Sequence, residues 1–325
     1  MESVIFPDLN KIYCGDSYSI LKTWPDSFVN TVVTSPPYYN LRSYGDIEEQ
    51  VGVEETPEKY VSRLVEIFRE VRRVLKNDGV LWLVIGDSYW GINGYARANK
   101  KWFRKGRNDA AANNRKLPKH DRLKVKDLIG IPWMVAFALQ RDGWYLRSDI
   151  IWQKPNAMPS SVTDRCSSSH EYIFMLTKSS RYYFNSEAIR EPAVCAGQVV
   201  TLGEKSFSKR SSLGGNIALS GNSLKDTYTT KQYRNKRDVW SVSTQPFKGS
   251  HYATYPPKLI TPCILATSRP EDIVLDPFVG AGTTAVVAKS LGRQFIGCEL
   301  NPDYVKMASK RIDSEVPLFT PVEIK

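Results

Sequence analysis

Residues 272–300 read DIVLDPFVGAGTTAVVAKSLGRQFIGCEL. An apolar run at 272–275 delivers Asp276 to a glycine-containing turn, residues 283–291 have helical character, and a second apolar run at 294–298 ends at Glu299. Strand, turn, helix and strand make one βαβ unit, which calls for a parallel sheet with helical crossovers. Gly280 and Gly282 let the backbone approach a ligand closely. In nucleotide-binding sheets an acid at the end of the second strand accepts hydrogen bonds from ribose hydroxyls. The turn is not the dinucleotide GxGxxG, and no lysine follows it as in a phosphate-binding loop. It suits a ribose-bearing ligand without a demanding phosphate cradle. The plain alternative is a tight turn with a surface glutamate.

The same rhythm extends outward. Strands are expected at 11–15, 29–34, 80–85, 145–152 and 172–176, and a short helix at 17–24. Thr56 as N-cap and Pro57 at the first helical position start another helix. Val61, Leu64, Val65, Phe68, Val71 and Leu75 continue it at helical spacing, and Asn77-Asp78-Gly79 is expected to end it. A helix over 128–141 is entered through Ile131-Pro132, and a last one starts at Asn301-Pro302. No internal repeat is present.

The chain has 325 residues and is 42% hydrophobic, enough for a substantial core. No run of about 18 apolar residues exists, so no membrane partner is expected. The N-terminus lacks a secretion signal's basic start and apolar core. Five scattered cysteines without CxxC spacing suggest reduced thiols in a cytoplasmic protein, with neither a metal site nor a disulfide frame. The net charge of +11 is concentrated. Residues 91–127 hold 12 Lys/Arg against three acids, and residues 191–245 hold eight against four. The remainder is slightly acidic. Such clustering is the footprint of a polyanion partner, set against the alternative of a solvated surface.

A second stretch stands out: residues 31–40, TVVTSPPYYN. Proline fixes φ and removes a donor, and the residue before it is pushed to extended geometry. Ser35-Pro36-Pro37 therefore makes a stiff loop with free carbonyls and fixed aromatic rings.

Together Ser35-Pro-Pro-Tyr38 and Asp276-Pro-Phe-x-Gly-x-Gly-Thr-Thr284 resemble the amino-group DNA methyltransferases that use S-adenosylmethionine. The order, catalytic stretch first and cofactor stretch near the C-terminus, resembles their circularly permuted β-group. The resemblance covers roughly 1–90, 128–190 and 246–315. It implies an α/β, Rossmann-like, mostly parallel sheet of about seven strands with helices on both faces and an inserted irregular recognition region. Residues 1–190 would be the catalytic half, carrying the basic loop 91–127. Residues 191–245 would be the target recognition region, and 246–325 the cofactor-binding half. The expected cofactor is S-adenosyl-L-methionine. Its expected site is Asp16, Thr34, Tyr255, Pro256, Asp276, Pro277, Phe278, Gly280, Gly282, Thr283, Thr284 and Glu299.

An exocyclic amine is a poor nucleophile because its lone pair is delocalised into the ring. The Ser35 hydroxyl and the Pro36 carbonyl are suitable acceptors for the amine hydrogens, Pro37 stiffens the loop, and Tyr38 can stack on a flipped base. In the family Ser-Pro-Pro-Tyr goes mainly with cytosine N4, which makes N4 methylation of cytosine in double-stranded DNA the first expectation. Adenine N6 methylation, an RNA methyltransferase and an inactive DNA-binding relative are the alternatives. Cys263 is expected on a helix face rather than as a nucleophile. Asp87 is either pocket lining or a strand-end cap, and Trp90 packs on the base or on the core. Lys100, Lys101, Arg104, Lys105 and Arg107, interleaved with Trp102 and Phe103, are expected to meet phosphates. Lys209, Arg210, Arg234, Lys236 and Arg237 are candidates for contacting DNA from the recognition region. Any restriction endonuclease would be a separate chain in a prokaryote or its virus, and a homodimer is compatible with the sequence.

Overall fold

The computed structural model describes residues 5–40, 50–91, 120–194, 196–201, 227–229, 231–245 and 254–315. The chain forms two units, Met1–Asn185 with Asp238–Lys325, and Ser186–Arg237. The larger unit opens with β1 (Lys11–Cys14), α1 (Ser17–Lys22), β2 (Val29–Thr34), α2 (Pro57–Val74), β3 (Leu75–Ile85), α3 (Ile131–Arg141), β4 (Tyr145–Gln153) and β5 (His170–Thr177). The smaller unit holds two short antiparallel ladders. One pairs β6 (Glu191–Pro192) with β9 (Tyr233–Arg234), and the other pairs β7 (Val199–Thr201) with β8 (Thr227–Thr229). The larger unit resumes with β10 (Val239–Ser241), α4 (Pro257–Thr267), β11 (Ile273–Asp276), α5 (Thr283–Ser290), β12 (Gln294–Glu299) and α6 (Pro302–Glu315).

The strands of the larger unit make one sheet in the order β1-β12-β11-β2-β3-β5-β4-β10. Every pairing is parallel except those of β5, which runs against β3 and β4. From β11 the chain crosses through α5 to β12 on one side. From β2 it crosses through α2 to β3 on the other. The winding therefore reverses between β11 and β2, and the carboxyl ends of such a pair open a crevice. The Asp276 turn and the Ser35 loop leave the sheet from those two ends.

Alternation along the strands serves two cores. Leu81, Leu83 and Ile85 of β3 join the cluster built on α1, α2 and α3, where Leu21, Leu64, Ile67, Phe68, Val135 and Leu139 are buried. Trp82 points the other way, and its indole Nε1 donates to Thr267 on α4 at 3.0 Å. The Thr267 hydroxyl also meets the Thr31 hydroxyl at 2.8 Å and donates to the Cys263 carbonyl at 2.8 Å. Cys263 lies on the buried face of α4, as expected of a packing residue.

Two differences from the sequence reading have local causes. α2 ends at Val74 rather than at Asn77-Asp78-Gly79. Leu75 is fully buried and turns extended to pair with Val29, and a register shift between Val29 and Thr31 takes up the added residues. The sheet has eight strands rather than about seven. The edge strand β10 spans three residues, too few to show a period, and pairs in parallel with β4. Its buried Trp240 ring lies 6.4 Å from Trp82. Residues from Asp238 onward thus belong to the larger unit, not to the segment expected over 191–245. Among the described residues no helix is long and apolar enough to cross a membrane.

Replacing Thr267 by Val keeps the shape but leaves the buried Trp82 Nε1 without an acceptor. The expected loss is about 1–3 kcal/mol, read as a lower urea midpoint with unchanged far-ultraviolet circular dichroism.

Candidate active site

At the carboxyl ends of β2 and β11, one buried carboxylate gathers the two distinctive stretches. Asp276 Oδ1 accepts from the Thr34 hydroxyl at 2.6 Å and from the Phe278 backbone N–H at 3.0 Å. Its Oδ2 accepts from the Thr284 hydroxyl at 2.6 Å and the Tyr255 hydroxyl at 3.2 Å. Burial pushes the carboxyl above its ordinary pKa, and the donors from Thr284, Thr34, Phe278 and Tyr255 oppose that push. Four elements are tied here: β2 through Thr34, β11 through Asp276, α5 through Thr284 and the entry to α4 through Tyr255.

The glycine turn is held from the next strand. Gly280 and Gly282 have positive φ, 53° and 79°, and a Cβ on Gly282 would come within 3.0 Å of Ala308 on α6. Glu299, at the end of β12, accepts from the Gly280 N–H at 2.8 Å through Oε2 and from the Asn301 N–H at 2.9 Å through Oε1. Each oxygen keeps a second lone pair, so the half-buried carboxylate can still accept from a vicinal diol. That donor–acceptor pattern fits the ribose of S-adenosylmethionine. Asp16, at the neighbouring strand end, also has protein partners. It caps α1 by accepting from Ser19 N at 2.9 Å and takes Arg63 at 3.2 Å. Ser17 beside it donates to the Pro277 carbonyl, and Gly15 N–H to Glu299 O at 2.9 Å. Asp16, Pro277 and Glu299 therefore share one end of the sheet. Pro256 is the N-cap of α4 and is buried, as are Thr283, Thr284 and Thr34. Asp16, Tyr255, Phe278, Gly280 and Glu299 are the partly exposed members of the expected set.

The Ser35 loop is braced from α2. The Tyr60 hydroxyl donates to the Pro37 carbonyl at 2.9 Å, and the buried Tyr39 ring lies 5.5 Å from the Tyr60 ring. Asn40 N–H closes the loop on Gly52 O at 2.7 Å. Ser35 and Tyr38 are partly exposed.

The family comparison agrees with this geometry. The model of the N6_N4_Mtase family, described as DNA methylase, matches residues 29–310. The chain belongs to this DNA methylase family. It is 47% identical over 305 residues to the type II methyltransferase M.Cfr9I of Citrobacter freundii, covering 94% of this chain and 88% of that protein. It is 43% identical to M.SmaI of Serratia marcescens, with 93% and 90% covered. Among solved structures it superposes on the cytosine-N4-specific PvuII DNA methyltransferase with a TM-score of 0.60 at 18% identity, covering 94% and 90% of the two chains. A Thermus thermophilus protein, described as a candidate DNA modification methylase and solved with S-adenosyl-L-methionine, gives 0.56 at 24% identity, with 95% of each chain covered. At these identities the two structures speak for the fold.

Other expected residues of the methylase fall in different places. Lys100, Lys101, Arg104, Lys105 and Arg107 lie outside the described residues, as do Lys209 and Arg210. In the smaller unit Arg234 and Arg237 both donate to Glu191 Oε1, at 2.8 and 2.6 Å. Lys236 is half-buried beside them. Trp90 is in the core, edge-on to His120. Asp87 is a cap: its carboxylate accepts from Ser88, Gly130 and Ile131 N–H at 2.8, 3.0 and 3.0 Å, which closes the start of α3. Two residues near the Ser35 loop escaped the sequence reading, Lys154 and Glu171, because each sits in a stretch that reads simply as a core strand. An acid next to the apolar run 172–176 was the available signal.

Asp87→Ala leaves the first N–H groups of α3 without their acceptor. A loss of about 1–3 kcal/mol in chemical denaturation is expected, with Asp87→Asn losing less because its amide oxygen still accepts.

Proposed function

We propose that the methylase transfers a methyl group from S-adenosyl-L-methionine to the exocyclic N4 amine of cytosine in double-stranded DNA, after the base has been flipped out of the helix. The observation that carries this reading is the Ser35-Pro36-Pro37 loop itself, braced by Tyr60 at the Pro37 carbonyl and tied through Thr34 to the Asp276 turn. Two acceptors on it, the Ser35 hydroxyl and the Pro36 carbonyl, suit an amine with two hydrogens. Holding both pulls the nitrogen toward tetrahedral geometry and frees its lone pair from the ring. The acceptors are preorganised, so little reorganisation opposes the reaction. S-adenosylmethionine supplies an electrophilic methyl group to such a nitrogen. Glu299 would hold its ribose, and the turn at 276–282 would carry it against the end of β11. Tyr38 offers a ring face to the flipped base.

The choice of cytosine N4 rests on the Ser-Pro-Pro-Tyr sequence, with support from the PvuII enzyme's stated specificity. The order of the two stretches along the chain supports the permuted β-group. The smaller unit Ser186–Arg237 and the basic segment 91–127 are assigned to DNA recognition on charge. The type II relatives favour a cognate restriction endonuclease on a separate chain.

Full digestion of methylated DNA and mass spectrometry of its nucleosides tests the base assignment. N4-methylcytosine is expected. N6-methyladenine instead would keep the mechanism and overturn the choice of base. Ser35→Ala is expected to slow single-turnover methylation by about a hundredfold or more while leaving cofactor affinity within about twofold. A full rate in that variant would contradict the role given to the hydroxyl.

A further inference from the structure

The Tyr38 ring is held at its far end by a pair of charged side chains. Its hydroxyl donates to Glu171 Oε2 at 2.7 Å. The other carboxylate oxygen, Oε1, takes the Lys154 ammonium. Glu171 is on β5, and Lys154 follows β4 immediately, with its backbone N–H on Ser169 O at 2.8 Å. Both side chains are only 18% exposed. The ammonium also lies 4.3 Å from the centre of the Trp152 ring, and Trp152 Nε1 is anchored on the Val242 carbonyl at 2.7 Å. Glycine at position 86 makes room for this arrangement. A Cβ there would come within 2.7 Å of the Tyr38 ring and 3.3 Å of the Glu171 carboxyl carbon. The ring is therefore wedged between the end of β3 and the Glu171 side chain.

A phenol does not need a salt bridge to be satisfied; a backbone carbonyl or water would serve. An ion pair so little exposed is costly unless its geometry is set by further contacts, and here the phenol and the Trp152 ring provide them. Burial, followed by the neighbouring Glu171 charge, pushes the Tyr38 phenol well above its ordinary pKa, while Ser35 draws it down. The phenol thus keeps its proton and remains a donor to Glu171 through neutral and mildly alkaline pH.

We propose that Glu171 and Lys154 are positioning residues of the methylase, which lock the plane of the Tyr38 ring before DNA arrives so that the flipped base meets a preset stacking face. The proposal rests on the role given to Tyr38 under Proposed function. The lock works through the phenolic oxygen, which also meets the Ser35 hydroxyl. A misplaced ring tilts the base relative to the Ser35 and Pro36 acceptors, and errors of about 1 Å in such alignments cost on the order of a hundredfold in rate.

The test is a double-mutant cycle on the full chain, read as single-turnover methylation at saturating DNA, with S-adenosylmethionine affinity measured by titration calorimetry. Glu171→Ala and Tyr38→Phe are each expected to slow transfer by about ten- to a hundredfold, with cofactor affinity unchanged within about twofold. The double variant is expected to be no slower than Tyr38→Phe alone, because that variant already removes the phenol's bond to Glu171 together with its contact to Ser35. Glu171→Gln keeps an acceptor for the phenol and is expected to recover part of the rate; it also serves if the alanine variant does not fold. Multiplying losses in the cycle, or a full rate in both Glu171 variants, overturns the proposal. Tyr38→Ala separates the two levels. A full rate there refutes the stacking role itself, whereas a slow Tyr38→Ala with a full-rate Glu171→Gln and Glu171→Ala refutes the lock alone.

Discussion

The Asp276 carboxylate is the constraint on which the rest of the site depends. It is almost entirely buried, at 3% exposure, and it takes four protein donors from four parts of the chain. A buried charge of this kind survives only when such donors surround it. Thr34 and Asp276 are 242 positions apart in sequence, and the sheet brings them together because β2 and β11 are neighbours. The Ser35 loop and the glycine turn are therefore parts of one hydrogen-bonded unit.

Around that centre the chain places rigidity where the chemistry needs it. Two prolines limit the loop after β2, and Tyr60 from α2 fixes the Pro37 carbonyl. Glu299 does the corresponding work for the glycine turn, which would otherwise be free to choose among several backbone conformations. On the far side of the crevice Lys154 and Glu171 constrain Tyr38. These three braces come from a helix, a parallel strand and the one antiparallel strand of the sheet. That distribution explains why the whole fold, and not a local loop, is needed for the site.

Much of this was legible in the sequence. The βαβ unit at 272–300, the strand at 29–34 and the Thr56-Pro57 helix start were readable because each has a strong period or an unambiguous cap. The pairing of Ser35–Tyr38 with Asp276–Thr284 identified the family before any contact was known. What escaped notice depended on long-range contacts. Val239–Ser241 is too short to carry a period and becomes a strand only because β4 offers an open edge. Leu75 left its helix because burial in the sheet outweighed helical spacing. Asp276 and Asp16 read as cofactor contacts from sequence; the protein donors that also bind them come from distant elements that no spacing rule contains. Asp87 resolved toward its capping role because Gly130 and Ile131, 43 and 44 residues away, supply N–H groups that only the fold brings near.

The coupling of the two halves through Asp276 can be tested at Thr34. This residue is fully buried and its hydroxyl donates to Asp276, so replacing it by Val removes one of the carboxylate's donors without changing an exposed surface. The measurement is calorimetric titration of S-adenosylmethionine into Thr34→Val, beside its single-turnover methylation rate and its circular dichroism. The account predicts a folded protein in which cofactor affinity and transfer rate both fall, each by about tenfold, the equivalent of roughly 1.4 kcal/mol for a lost hydrogen bond to a charged group. Wild-type affinity with a wild-type rate would contradict it and would mean that the catalytic loop and the cofactor turn are held in place independently.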